Sequence, residues 1–72
     1  MIDTRITVTI NGRKQALDGP TRLLDLLQAR GLLGGRPIAI GYNREVVHRD
    51  HWGEVVLKEG DALDIVHMVG GG

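Results

Sequence analysis

Between Ile6 and Ile10 every residue is β-branched, and apolar and polar side chains alternate. That period of two marks a strand with one face buried and one face in water. Asn11-Gly12 follows directly, the pair best suited to a two-residue type I′ hairpin, so a second strand is expected over Arg13–Leu17. Only Ala16 and Leu17 are apolar in that strand, which suits the edge of a sheet.

After the Asp18-Gly19-Pro20 turn the spacing changes to that of a helix, expected over residues 21–30. Leu23, Leu24 and Leu27 form its apolar stripe, with Arg22, Asp25 and Gln28 around it. Thr21 is placed to cap its first turn, and Gly31 to end it in the left-handed conformation behind Arg30. Residues 32–37, with Gly34-Gly35 and Pro37, read as a loop. Short extended pieces are expected at Ile38–Ile40, Val46–Val47 and Val55–Leu57, and a last strand over Ala62–Val69. Tyr42–Glu45 and Lys58–Asp61 are turns between them, and His48–Gly53 is an irregular polar connection with room for a helical turn. One stripe and one sheet face are buried most economically by laying the helix across a single sheet. The expected class is α+β, a mixed sheet of four to five strands with one main helix on one face.

Composition narrows what such a domain does. Its 72 residues are the length of one domain, 1–72, with a thin core. With no cysteine it has no disulfide, thiol nucleophile or thiolate metal site, which suits a reducing compartment. Nine basic residues balance nine acidic ones, so there is no basic excess of the kind that binds nucleic acid. No apolar run approaches the roughly 20 residues that cross a bilayer, and the Met1–Thr4 start is unlike a signal peptide. The expectation is a cytoplasmic protein without a membrane or nucleic-acid partner. Phe is absent, and Tyr42 and Trp52 are the only aromatics, so the core is aliphatic with Trp52 closing one edge. Eleven residues are glycine, three of them Gly70-Gly71-Gly72.

The opening strand with Asn11-Gly12, the leucine helix, the Glu59-Gly60-Asp61 turn and the ending Ile65-Val66-His67-Met68-Val69-Gly70-Gly71-Gly72 together resemble the β-grasp sulfur carriers of the ThiS type. The Val46–Trp52 stretch, with Arg49 in it, is similar as well. The resemblance implies a ubiquitin-like fold whose first and last strands lie parallel and adjacent. It also implies a carrier of sulfur for thiamine biosynthesis rather than an enzyme. In that scheme a ThiF-like activating enzyme uses ATP and magnesium to adenylate the Gly72 carboxylate. A persulfide donor then converts it to a thiocarboxylate, and a ThiG-like thiazole synthase accepts the sulfur. The carrier itself holds no cofactor. Gly70 and Gly71 would serve as a flexible arm, because glycine has no Cβ to block a narrow channel; three extended residues reach roughly 10 Å.

Other residues invite chemistry but carry less. His48 and His51, near Asp50, lack the third and fourth ligands of a metal site and read as surface groups. His67 shares the parity of Leu63 and Ile65 and is expected to be partly buried at the sheet end. Val66 and Met68 have the opposite parity and should face away from the helix, an apolar surface suited to partner docking. Arg36, Arg44 and Arg49 read as solvated charges available to an acidic partner. The same terminal chemistry belongs to the molybdopterin synthase small subunit and to carriers for tRNA thiolation. A ubiquitin-like modifier and a plain interaction module are the readings of other classes.

Overall fold

The computed structural model describes residues 4–68. Strand β1 (Ile6–Ile10) buries Ile6, Val8 and Ile10 and turns Thr7 and Thr9 outward, as the alternation requires. Asn11 and Gly12 take φ of 53° and 81°, the pair of left-handed residues a type I′ turn needs. β2 (Arg13–Leu17) then pairs antiparallel with β1 along its whole length and is the exposed edge expected.

The helix differs from the sequence reading at its start. Thr21 and Arg22 form a short strand, β3 (Thr21–Arg22), paired antiparallel with β6 (Val56–Leu57). The helix α1 is Leu23–Ala29, and Arg22 stands at its N-cap without a side-chain capping bond. Thr21 is therefore no cap: its hydroxyl donates to the Gly19 carbonyl at 2.8 Å. Because β6 lies alongside, the Leu23 N–H finds the Val55 carbonyl at 3.0 Å, a main-chain partner that makes a side-chain cap unnecessary there. The apolar stripe also shifts, to Leu23, Leu26 and Leu27, which are one and the same face at i, i+3 and i+4. Leu24 lies off that face and is exposed.

At the C-terminus, Leu32 N–H reaches the Leu27 carbonyl at 2.8 Å, and Gly31 N–H, at φ 69°, reaches Gln28 at 3.0 Å. This is a Schellman ending with Gly31 as its left-handed residue. The Arg30 guanidinium donates to the Gln15 side chain, tying the helix end to β2.

β4 (Ile38–Tyr42) and β5 (Glu45–Val47) form a second hairpin, one or two residues longer than the short pieces expected. A 3-10 helix, Arg49–Glu54, fills the connection read as irregular, and it buries Trp52, whose indole N–H donates to the Val47 carbonyl at 2.9 Å. β7 (Ala62–His67) then enters the middle of the sheet, whose order is β2-β1-β7-β4-β5. It lies parallel to β1 and antiparallel to β4, as the resemblance implied for the first and last strands. Helix α1 lies on one face, and the core between them holds Val8, Leu23, Leu27, Ile40, Leu57 and Leu63 essentially without exposure. No buried polar side chain is left unpaired among the described residues.

Candidate functional site

β7 leads to the residues on which the carrier reading rests, and two turns hold it from either side. From the β1–β2 turn, Asn11 N–H donates to the Leu63 carbonyl at 2.9 Å, and Asn11 Oδ1 accepts from Ile65 N–H at 2.7 Å. From the β4–β5 turn, Asn43 N–H donates to the Ala62 carbonyl and Asn43 Oδ1 accepts from Ala62 N–H, both at 2.8 Å. The Glu59-Gly60-Asp61 turn extends the parallel ladder backward: Gly60 N–H donates to Thr7 C=O at 2.8 Å and Thr9 N–H to Asp61 C=O at 3.0 Å. The Glu59 carboxylate accepts from Thr7 N–H at 3.2 and 3.3 Å. Met68, one residue past β7, still donates its N–H to Pro37 at 2.9 Å. Val69, Gly70, Gly71 and Gly72, expected to end the last strand and to form the arm, lie outside the described residues.

Asp61 is the centre of a small polar network beside the second turn. Its carboxylate accepts from Tyr42 Oη at 2.6 Å, from Lys58 N–H at 2.8 Å and from Asn43 Nδ2 at 3.3 Å. Partial burial pushes the Asp61 carboxyl up, but the bonds from Tyr42, Lys58 N–H and Asn43, together with the Lys58 charge, outweigh it and hold the group below the ordinary aspartate value. The bond to Asp61, with burial and the Asp61 charge behind it, pushes the Tyr42 phenol up to about 12. The network joins residues 19 positions apart and left no local signal in the sequence.

On the outer face of the sheet, away from α1, Val66 and Met68 are 58% and 56% exposed, on the side the parity predicted. The register sets Ala39 opposite Val66, and Val46 opposite Gly41. Val46 is 87% exposed and extends the same apolar surface onto β5, a residue the sequence reading did not single out. Its signal was the parity of Val47, which points inward and so leaves Val46 outward. The same face also carries Thr7 and Thr9 on β1 and Asp64 on β7, and Asp64 faces Val46 across Gly41.

His67 is exposed rather than partly buried. It has the inward parity, but it sits past Ile65, the last core residue of β7. His48 and His51 are also exposed: His48 Nδ1 accepts from Asp50 N–H at 3.2 Å, and His51 Nδ1 lies 2.6 Å from the Glu54 carboxylate. That bond, then the Glu54 charge, raises the His51 pKa against a small opposing effect of desolvation, with Asp50 adding to the rise. The two imidazoles thus serve their own short helix. No group of metal-ligating side chains occurs among the described residues, and no helix there is long and apolar enough to cross a membrane.

Compared with known proteins, residues 8–72 match the model of the ThiS family. The chain belongs to the ThiS family. The crystal structure of the thiamine biosynthesis protein ThiS from Geobacter metallireducens is similar with a TM-score of 0.79 and 28% identity, over 93% of this chain and 100% of that one. An NMR structure of a thiamine biosynthesis protein from the same organism gives 0.73 and 28%, over 93% and 88%. A thiazole synthase of Magnetococcus marinus is 35% identical over 65 residues, which is 90% of this chain; the chain spans about a fifth of that relative's length. ThiS proteins are β-grasp sulfur carriers and not catalysts. The fold described above, with its parallel outer strands of the chain at the centre of the sheet, is the ThiS arrangement.

Proposed function

We propose that this ThiS-family domain carries sulfur for formation of the thiazole of thiamine, with the Gly72 carboxylate as the group that is loaded. The observation that carries the reading is that the family match runs through to residue 72, so the terminal glycines belong to the matched pattern. A carboxylate is a poor electrophile. Adenylation by a ThiF-like partner with ATP and magnesium turns it into a mixed anhydride. The terminal sulfur of a persulfide displaces AMP to give an acyl disulfide, and a second thiol on the partner cleaves its S–S bond, leaving the thiocarboxylate and a disulfide. Gly70 and Gly71 let that end enter a narrow site, since they place no side chain in its path. A relative named thiazole synthase, which contains a stretch like this chain, supports a ThiG-like synthase as acceptor over molybdopterin or tRNA. The domain works in the cytoplasm, where ATP and the persulfide donor are at hand.

The outer face of Val66, Met68 and Val46 is proposed to receive the activating enzyme. It is the exposed apolar surface nearest the last described residue, and partner binding would cover it. Met68→Glu is expected to weaken that complex while leaving thermal unfolding of the free domain unchanged; an unaltered affinity removes the docking assignment.

The carrier reading is tested by incubating the chain with ATP, the activating enzyme and a sulfur donor, then fragmenting its C-terminal peptide by mass spectrometry. Replacement of oxygen by sulfur nearly matches the mass of methionine oxidation, so the fragments must place the change on Gly72 and not on Met68. An unmodified Gly72, beside an enzyme active on another carrier, overturns the proposal.

A further inference from the structure

Strand β5 is shorter than the strand it covers. β4 begins at Ile38, but β5 pairs with it only from Ile40 to Tyr42. The bond from Met68 N–H to Pro37 C=O fixes the alternation of the ladder: Pro37, Ala39 and Gly41 direct their main-chain groups to β7. Ile38, Ile40 and Tyr42 direct theirs to the other side. There Ile40 meets Val47 and Tyr42 meets Glu45, whereas among the described residues no strand residue stands opposite Ile38. After Val47 the chain leaves the sheet for the 3-10 helix, and the Trp52 indole bond to the Val47 carbonyl holds it in that course.

The gap opens into a groove of about 610 Å³ between the 32–37 loop and the 3-10 helix. Leu33, Ile38, Val47 and Trp52 give it apolar walls, and the exposed Arg36 and Arg49 stand at its mouth with His48. No Asp or Glu lines it. Neither arginine has an ion pair or hydrogen bond among the described residues, and the Glu54 carboxylate is engaged by His51.

We propose that this groove docks an extended segment of a partner protein in which an apolar side chain is flanked by carboxylates. The open main-chain groups of Ile38 select a peptide, which can add to β4 as a short continuation of β5. The walls beside Trp52 take the apolar side chain. The two arginines take the carboxylates, for which a guanidinium fork is well matched. This site adjoins the outer face and shares Val46 and Met68 with it, while Ile38, Trp52, Arg36 and Arg49 belong to the groove alone. It rests on the groove's own geometry and not on the sulfur-carrying reading.

The probe is the peptide acetyl-Glu-Thr-Leu-Thr-Glu-amide, which in an extended form puts its leucine and both carboxylates on one side. It is titrated into the full chain labelled with nitrogen-15. Amide shifts confined to Arg36, Ile38, Ala39, residues 46–49 and the Trp52 indole are expected. The Arg36→Glu, Arg49→Glu double variant, still folded by circular dichroism, should lose affinity by about tenfold or more. A counterpart peptide with lysines for the glutamates should not bind. The proposal is overturned if the glutamate peptide gives no shifts, if both peptides bind equally, or if the shifts fall on Thr7, Thr9 and Asp64. It is also overturned if the same shifts arise without peptide as the chain is concentrated, which would make the occupant a second copy. Tighter peptide binding by a chain ending at Met68 would assign the groove to residues 69–72 instead, and sodium glutamate reproducing the shifts would assign it to a small anion.

Discussion

Asn11-Gly12 and Asn43-Arg44 both reverse the chain through two residues of positive φ, and both then bond to β7 through an asparagine main chain and side chain. They differ in what holds them. At the first turn Gly12 takes φ 81° without a Cβ to strain, and Asn11 bonds only to main-chain groups. At the second, Arg44 holds φ 72° with a full side chain, a conformation that costs a non-glycine residue about 1 kcal/mol. That turn is supported from outside, by Asp61 bonded to Asn43, Tyr42 and the Lys58 amide. The first turn is local chemistry; the second exists because tertiary contacts favour it.

Replacing each asparagine by alanine separates the two cases. Asn43→Ala removes bonds to Ala62 and Asp61 and puts alanine at positive φ, and should lower unfolding free energy by about 3 kcal/mol. Asn11→Ala loses one side-chain bond and meets the same backbone strain, so about 2 kcal/mol is expected. Urea unfolding of both variants measures the difference. A larger loss at Asn11 would mean that the Asp61 network contributes little.

Acidity and alkalinity sharpen the contrast further, because only the second turn leans on titrating groups. The Asp61 pKa is depressed in the fold, so its contribution is present above the unfolded value of about 3.9 and fades as pH falls through the folded value. The Tyr42 pKa is raised from 10.0 to about 12, so its contribution is complete below 10 and is lost as pH climbs toward 12. Stability should therefore fall at both ends of the scale in the native chain. The acid limb should flatten in Asp61→Asn and the alkaline limb in Tyr42→Phe, each read by thermal unfolding against pH. Limbs that stay unchanged in the variants would place the sensitivity elsewhere.

The smallest effect is expected from Arg44→Gly, which relieves the strained residue but frees the unfolded chain, for a net gain of about 0.5 kcal/mol. A loss on this substitution would reveal a contact of the Arg44 side chain that matters more than its backbone.

The same contrast explains what could be read from the chain alone. Asn11-Gly12, the five β-branched residues before it and the opposed parity of Val66 and Met68 are local patterns, and each appears in the fold where expected. The start of the helix did not follow its local signal. Thr21 has the chemistry of a cap, but Val56 and Leu57, 35 residues onward, draw Thr21 and Arg22 into a strand. Choosing Leu26 over Leu24 for the core likewise depends on which side of the helix meets the sheet. His67 kept its parity and still became exposed, because parity sets a direction while burial needs a neighbour. The groove beside Ile38 arises from the length of β5 and the course of the 3-10 helix, and no single residue announces it. The roles proposed for Gly70, Gly71 and Gly72 rest on the glycine run itself and on the family match.

The parallel pairing of β1 and β7 has a mechanical consequence. A pull on the chain beyond Met68, resisted through β1, runs along both strands, so the bonds between them are loaded in shear and share the force rather than opening one after another. The asparagines on either side add cross-links in the same direction. A partner drawing the end of this domain into a deep site would meet a strand that transmits tension into the whole sheet before it peels away.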